Sequence, residues 1–404
     1  MYFLYSLPIK QLLRRKVRSA VALLMIFMGT LLCVFSLGMS IGSHKQFIES
    51  AVNNFSGHLQ ILHPGYLDKP SLYKTVPATS DDITLFKKEK TFQEVSPRLE
   101  LGGLIYHEKR SAAVGIIGVS PNRESKVSTL SQSIKEGDWL PELSEDYETI
   151  PAIIGKPLKN RLKASIGSEI ILIGQAADGS IVAEKLTVVG VFSSGQLEAD
   201  SRVIYIPIQA AQEAFVLEGK AHRLVIKADS LEKAERFYEV HTWKHENTIL
   251  ADWKKIMPEL ATAIQSDKIS NFIFCYIILA VVCLGVFNTL TMGYFERTKE
   301  FGVMLALGTP RTKIFQTCVL EAVWLSFPAA ILGASVAAFL NENITIPLPE
   351  ATDMQGFVME SIQPANSVDG SVIFPLTIVI VSVLSSLYPS YWVTRLQPTR
   401  AMKG

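Results

Sequence analysis

Cysteine is scarce in this sequence. There are four in 404 residues, Cys33, Cys275, Cys283 and Cys318, and all lie in or beside long apolar runs. The long polar middle of the chain has none, which excludes a disulfide framework and a cysteine zinc site there. Such a segment fits an oxidising outer compartment. A charge imbalance is also lacking. With 39 Lys+Arg against 38 Asp+Glu the net charge is +1, so no overall field draws the chain to nucleic acid. The seven histidines, at 44, 58, 63, 107, 222, 241 and 245, form no metal pattern. His241 and His245 stand four apart beside Trp243, but without an HExxH pattern or a third ligand they read as surface residues. A phosphate loop is missing too. Gly155-Lys156 is followed by Pro157 and Gly219-Lys220 by Ala221, where Ser or Thr is needed. No catalytic constellation and no bound cofactor are expected, so energy for any work comes from elsewhere.

What the sequence has is apolar length. Hydrophobic residues make up 48% and the mean hydropathy is +0.25, too apolar for an ordinary soluble domain and too polar for membrane helices alone. Four runs approach the roughly 20 apolar residues that a bilayer requires. They are Ser19 to Ser43, Ile269 to Phe295, Ala322 to about Leu340, and Ser371 to Thr394. Short basic segments flank them on one side only: Lys10, Arg14, Arg15, Lys16 and Arg18; then Arg297, Lys299, Arg311 and Lys313; then Arg395, Arg400 and Lys403. The segment between the third and fourth runs has no Lys or Arg but carries Glu342, Glu350, Asp353, Glu360 and Asp369. Lys and Arg accumulate on the cytoplasmic side, so both termini are expected there. The first run is longer than a signal peptide's apolar core, and Leu31-Leu32 before Cys33 do not suit lipoprotein cleavage, so it reads as a retained anchor.

The expected organisation follows. Residues 1–18 are a cytoplasmic segment, 19–43 the first membrane helix, and 44–268 a large extracytoplasmic α+β domain inserted between helices one and two. Residues 269–295 are the second membrane helix, 296–313 a cytoplasmic helix and turn, and 314–340 the third membrane helix. Residues 341–370 are an outer loop, 371–394 the fourth membrane helix, and 395–404 a cytoplasmic tail. In the outer domain, β-rich runs are read at 58–62, 113–119, 169–173, 185–192, 203–206 and 223–226, with a hairpin turn at Gly174 to Gly179. Helices are read at 44–53, 208–217, 231–238 and 253–264. The first and last form stalks that continue into the membrane.

The stretch Glu296-Arg-Thr-Lys-Glu300-Phe-Gly302-Val-Met-Leu-Ala306-Leu-Gly308-Thr-Pro310 begins charged, turns apolar and stops at Gly-Thr-Pro. Gly308 suits a helix C-terminus and Pro310 the first turn of the next helix. A helix of about two turns is not stable alone. Phe301, Met304, Leu305 and Leu307 need a surface, either the lipid headgroups or a groove on a cytoplasmic partner. Glu321, near the cytoplasmic end of the third run, needs a partner in Arg311, Lys313 or the turn. Asn288, Thr289 and Thr291 offer polar atoms for helix contacts.

These residues carry a family resemblance over nearly the whole chain. Arg14-Arg15-Lys16-Val-Arg18, Asn288-Thr-Leu, Glu296-Arg-x-Lys-Glu300-x-Gly302, Ala306-Leu-Gly308, Glu321-Ala, Tyr388-Pro389 and Arg395-Leu-x-Pro398 occur in an order similar to that of the FtsX-like permeases. These are the membrane subunits of MacB-type and lipoprotein-releasing ABC transporters. In the outer part Ile117-Gly118-Val119-x-Pro121, Gly137-x-Trp139-Leu140, Val189-Gly190-Val191-Phe192, Tyr205-Ile-Pro207 and Trp253 with Pro258-Glu259-Leu260 fit as well.

The resemblance implies a dimer of permease chains, identical or different, each bound to a cytoplasmic ABC ATPase that holds ATP and Mg. It implies a coupling helix built from Glu296, Arg297, Lys299, Glu300, Phe301, Gly302, Met304, Leu305 and Gly308 that enters a groove on that ATPase. It implies an outer domain of two subdomains, one mixed α/β and one β-rich, and a place in the bacterial inner membrane. Ser56-Gly57-His58-Leu59-Gln60-Ile61 resembles the lipoprotein-releasing branch. An acylated lipoprotein would then be drawn into a cleft lined by Phe35, Met39, Phe272, Ile273 and Tyr276. The segment Gly174 to Lys185 departs from that branch, because it is a short turn without a Pro-rich, carrier-gripping extension. A transducer acting on a wall enzyme or sensor kinase, and a MacB-like exporter of peptides or small amphiphiles, are the alternatives.

Overall fold

The computed structural model describes residues 16–86, 92–143, 148–240, 243, 247–348, 353–354, 357–358 and 361–395. His241, His245, Glu350, Glu360, most of the N-terminal segment and the tail from 396 onward, with Arg400 and Lys403, lie outside the described residues.

In chain order the elements begin with α1 (Lys16–Ala51), closed by a π-turn at Val52–Ser56. Then come β1 (Leu59–Leu62), β2 (Val76–Pro77), α2 (Ser80–Phe86), β3 (Phe92–His107), β4 (Arg110–Val119) and α3 (Pro121–Val127). They are followed by β5 (Ile134–Gly137), β6 (Ile150–Gly155), α4 (Lys156–Leu162), β7 (Glu169–Gln175), β8 (Ile181–Phe192), α5 (Leu197–Arg202) and β9 (Val203–Pro207). Next are α6 (Ile208–Ala214), β10 (Lys220–Ala221), β11 (Arg223–Ala228), α7 (Leu231–Val240), β12 (Ile249–Asp252) and α8 (Trp253–Ile256). The chain ends with α9 (Pro258–Phe295), α10 (Thr298–Ala306), α11 (Arg311–Asn343), the short strands β13 (Ile346–Pro347), β14 (Asp353–Met354), β15 (Phe357–Val358) and β16 (Ser361–Ile362), and α12 (Phe374–Thr394).

Two compact units divide the chain. One comprises residues 1–45, 264–347 and 361–404, the other residues 46–263 and 348–360. In the first unit α1, α9, α11 and the segment Asp369–Thr394 are long and apolar enough to cross a membrane. Both α1 and α9 are longer than a hydrocarbon core of about 30 Å requires at about 1.5 Å per residue. Their buried residues, among them Ala22, Ile26, Val282, Val286, Leu290, Leu325, Ala329, Ala330 and Ile378, form one cluster. Small residues allow the close approach that holds helices together in lipid. A Cβ on Gly29 would lie 2.4 Å from Val282, and one on Gly333 would lie 2.6 Å from the Phe27 carbonyl.

The second unit has two lobes. In the first, β12, β1, β11 and the opening half of β3 make an antiparallel sheet. Leu59, Ile61, Val95, Leu224, Ile226, Ala234 and Leu250 form its core. In the second, the ring β3–β4–β9–β6–β8–β7–β3 closes on itself. Apolar side chains from all six of these strands meet in one buried cluster with α4 and α6. Closure leaves these strands no free edge, which is how barrels avoid strand addition. Where the lobes meet, Arg98 of β3 donates to buried Glu124 of α3 at 2.6 Å, and Ser96 adds a bond of 2.8 Å. Burial pushes the Glu124 carboxyl up, but the Arg98 guanidinium and bonds from Arg98, Ser128 and Ser96 outweigh it and hold the group below the usual carboxylate range.

Several expectations change. β3, the longest strand, lies outside the β-rich runs read from the sequence, because Pro97 and Gly102-Gly103 break its pattern. β5, β6 and β12 lie outside those runs as well. The helix expected over 253–264 is interrupted at Met257, and the last stalk begins afresh at Pro258 as part of α9. Pro310 is the N-cap of α11 rather than a residue of its first turn.

Candidate functional site

The site grows from the chain's exit from α9. The α9 helix ends at Phe295, and two residues later α10 begins with Arg297 at its N-cap. Its end is a Schellman cap: the Thr309 N–H donates to the Met304 carbonyl at 3.0 Å and the Gly308 N–H to the Leu305 carbonyl at 3.1 Å. That cap requires the left-handed conformation at Gly308, whose φ is +85°.

The helix has two unlike faces. Phe301 and Gly302 are buried, and Met304 and Leu305 are half-buried against the membrane-helix cluster. Phe301 meets the Tyr294 ring edge-on with centroids 6.3 Å apart, and the Tyr294 hydroxyl donates to the Cys318 carbonyl at 2.9 Å. On the other face Lys299, Glu300, Val303, Ala306 and Leu307 are exposed, Val303 by 47% and Leu307 by 81%. The spacing 299, 303, 306/307 forms one stripe of a helix, and 301, 304, 305 the opposite one. This chain's own helices thus cover Phe301 and half-cover Met304 and Leu305, three of the residues that the resemblance assigns to the coupling helix. Val303, four residues after Lys299, joins the outward stripe.

The charged residues divide as well. Arg297 is buried, and its guanidinium donates to both Glu321 oxygens at 3.0 and 3.3 Å. It lies 4.8 Å from the Phe301 ring centre and 3.4 Å from a Glu300 oxygen. Glu321 thus pairs with the turn, through Arg297. The neighbouring Glu296 instead accepts a two-pronged bond from Arg18 of α1, at 2.8 and 3.0 Å.

The residues read as a substrate cleft have different neighbours within one chain. Phe35 packs with Val34, Ala334 and Ala337, facing α11, and Met39 is half-buried. Phe272 stacks on Phe374 of α12, while Ile273 and Tyr276 are exposed. Thr289 bonds back to the Gly285 carbonyl of its own helix, and Asn288 is exposed. Polar contact between α1 and α9 comes from residues that the sequence reading did not single out. Asn271 donates to the Ser36 carbonyl at 3.1 Å, and Asp267 accepts from Ser40 at 3.1 Å and pairs with His44 at 2.7 Å.

Comparison with known proteins matches both parts of the chain. The MacB-like periplasmic core domain covers residues 19–239, more than half of the sequence, and the FtsX-like permease C-terminal family covers residues 272–398. The lipoprotein-releasing system transmembrane protein LolC of Neisseria meningitidis is 20% identical over 94% of this chain and 92% of its own length. The pyoverdine export ATP-binding/permease protein PvdT of Pseudomonas aeruginosa is 26% identical over 79% of this chain, which spans 48% of that protein. Among solved structures, the periplasmic region of MacB from Actinobacillus actinomycetemcomitans aligns with 54% of this chain and 98% of its own at 16% identity and a TM-score of 0.38. The chain belongs to the MacB/LolC family of ABC transporter permeases, and is a multi-pass inner-membrane protein with an extracytoplasmic domain.

Proposed function

We propose that this chain is the permease subunit through which a separate cytoplasmic ATPase moves the extracytoplasmic domain. Its substrate is an acylated lipoprotein, or a similar amphiphile, drawn from the outer leaflet of the inner membrane. The observation that carries this reading is the division of α10. One stripe is anchored in the chain's own helices, and the other, Lys299, Val303, Ala306 and Leu307, is apolar at its centre and uncovered. A helix held on one side with an apolar stripe on the other suits insertion into a partner's groove. The asymmetry of Lys and Arg supports a cytoplasmic position for α10 and both termini. ATP and Mg reside on the ATPase, and this chain binds no cofactor of its own. A second permease chain, identical or different, completes the membrane unit.

The likeness to LolC over nearly its whole length supports the lipoprotein substrate. The higher identity to PvdT favours an exporter of smaller amphiphiles as the second reading. In either case Ile273 and Tyr276 present the apolar surface that an amphiphile needs.

The test is co-purification of the tagged full chain in mild detergent, with mass spectrometry of proteins and lipids. An ATPase that is captured by the wild type and lost from Leu307→Asp and Val303→Asp supports the coupling face. Co-captured acylated protein supports lipoprotein release, whereas a small amphiphile alone supports export. A wild-type chain that captures no ATPase overturns the reading.

A further inference from the structure

Adjacent residues Glu296 and Arg297 tie the same joint to two different helices, and the two ties differ in kind. The tie to α11 is buried. Arg297 and Glu321 are both shielded from solvent, with side-chain exposures of 6% and 10%, and the pair is roofed by the Phe301 ring. Beside it the Tyr294–Phe301 ring contact joins α9 to α10, and the Tyr294–Cys318 bond joins α9 to α11. The tie to α1 is open to water, with Arg18 and Glu296 side chains 31% and 40% exposed. Removing one member of a buried pair leaves an uncompensated charge, so such a pair does not part readily. An exposed pair exchanges its partner for water at little cost and is screened by salt.

We propose that Arg297 and Glu321 are positioning residues that make α10 and α11 move as one body, while Arg18–Glu296 is a releasable latch between that body and α1. This rests on the coupling role of α10 given above. Force applied to the outward stripe of α10 passes to α11 through the buried pair. The cytoplasmic end of α1 can let go. Farther along, α1 stays joined to α9 through Ser36–Asn271 and His44–Asp267. Opening the latch therefore frees only the first turns of α1.

The test uses the full chain with paired spin labels, in a background lacking the native cysteines. One pair, at Val17 and Lys299, spans the latch. The other, at Lys299 and Lys313, spans the buried Arg297–Glu321 pair, the lock. Raising salt from about 0.05 to about 0.5 M shortens the screening length severalfold. The expected result is a latch distance that broadens with salt, and that is broad at both salts in Glu296→Gln. The lock distance stays narrow in both. Glu321→Gln broadens the lock distance, and hydrogen exchange in α10 speeds at least tenfold. Glu321→Asp and the swap Arg297→Glu with Glu321→Arg restore both, which a loss of packing alone would not do.

With the ATPase bound, Glu321→Gln retains capture within twofold but loses at least tenfold of the ATP-driven change in outer-domain exchange. A lock distance unchanged by Glu321→Gln, a swap that fails to restore it, or a latch indifferent to both salt and Glu296→Gln overturns the proposal. None of the label measurements needs the ATPase, so failure of the coupling role and failure of the joint are read separately.

Discussion

Replacing Phe301 by Ala separates the two roles that α10 combines. The ring is 2% exposed and sits among Tyr294, Ile314 and Cys318, with the Arg297 guanidinium 4.8 Å from its centre. Deleting a buried Phe side chain costs about 3–5 kcal/mol. The edge-on contact with Tyr294 is part of that loss, at about 0.5–1.5 kcal/mol. A nine-residue helix has no stability of its own to absorb the change. The local opening of α10 should therefore become easier by about 3 kcal/mol, which is about a hundredfold in exchange rate. Hydrogen exchange with mass spectrometry on the isolated chain, in peptides covering residues 298–306, measures this directly. Leu307→Asp is the control. It lies on the surface, changes stability by no more than about 0.5 kcal/mol, and leaves that exchange unaltered while removing the ATPase. The reasoning is refuted if Phe301→Ala leaves α10 exchange within threefold in the isolated chain yet abolishes capture of the ATPase. Phe301 would then belong to the partner's groove.

Other consequences follow from the outer unit and the turn. Glu124→Gln leaves Arg98 buried without its countercharge, and should lower outer-domain stability by about 3–5 kcal/mol in urea unfolding followed by tryptophan fluorescence; an unchanged midpoint would refute it. Burial lowers His222 from the ordinary 6.5, with only partial opposition from its bond to the Leu72 carbonyl, and its Nδ1 accepts the Glu100 N–H at 3.0 Å. The unfolded chain therefore binds the extra proton first. Outer-domain stability should be full above about 6.5 and fall as the pH drops through the lowered folded value. His222→Gln should flatten that slope, leaving the share due to His58, which burial and Lys227 lower in the same sense. Gly308→Ala meets no neighbouring atom, but must adopt φ near +85°. It should destabilise the α10 cap by about 1 kcal/mol, visible as faster exchange at the end of α10, with Gly308→Asn milder.

Local order determined much of this protein in advance. Charge-free runs of the length of a bilayer mark all four membrane helices, because hydropathy and length need no distant residue to be read. Gly308 and Pro310 mark the end of one helix and the approach to the next through their own backbone preferences. The β7–β8 hairpin is legible from alternation and its turn. Period and propensity are silent, however, about which distant surface a residue will meet. β3 carries Pro97 and two glycines that spoil its local pattern, and it forms because β4, β7 and β11 together supply its pairing. The closure of six strands into a ring is a matter of register between segments far apart in the chain.

The site divides in the same way. The residues of α10 are visible as a group in the sequence, since their charged start and apolar end are contiguous. Their allocation is not visible, because Phe301 and Leu307 are equally apolar as letters. Only the packing of Tyr294, Cys318 and Ile314 around Phe301 leaves Leu307 facing outward. Glu296 and Arg297 likewise read as one charged cluster. Tertiary structure sends one to the surface beside Arg18 and buries the other with Glu321, because neighbouring side chains leave the end of a helix in different directions and meet different dielectric surroundings.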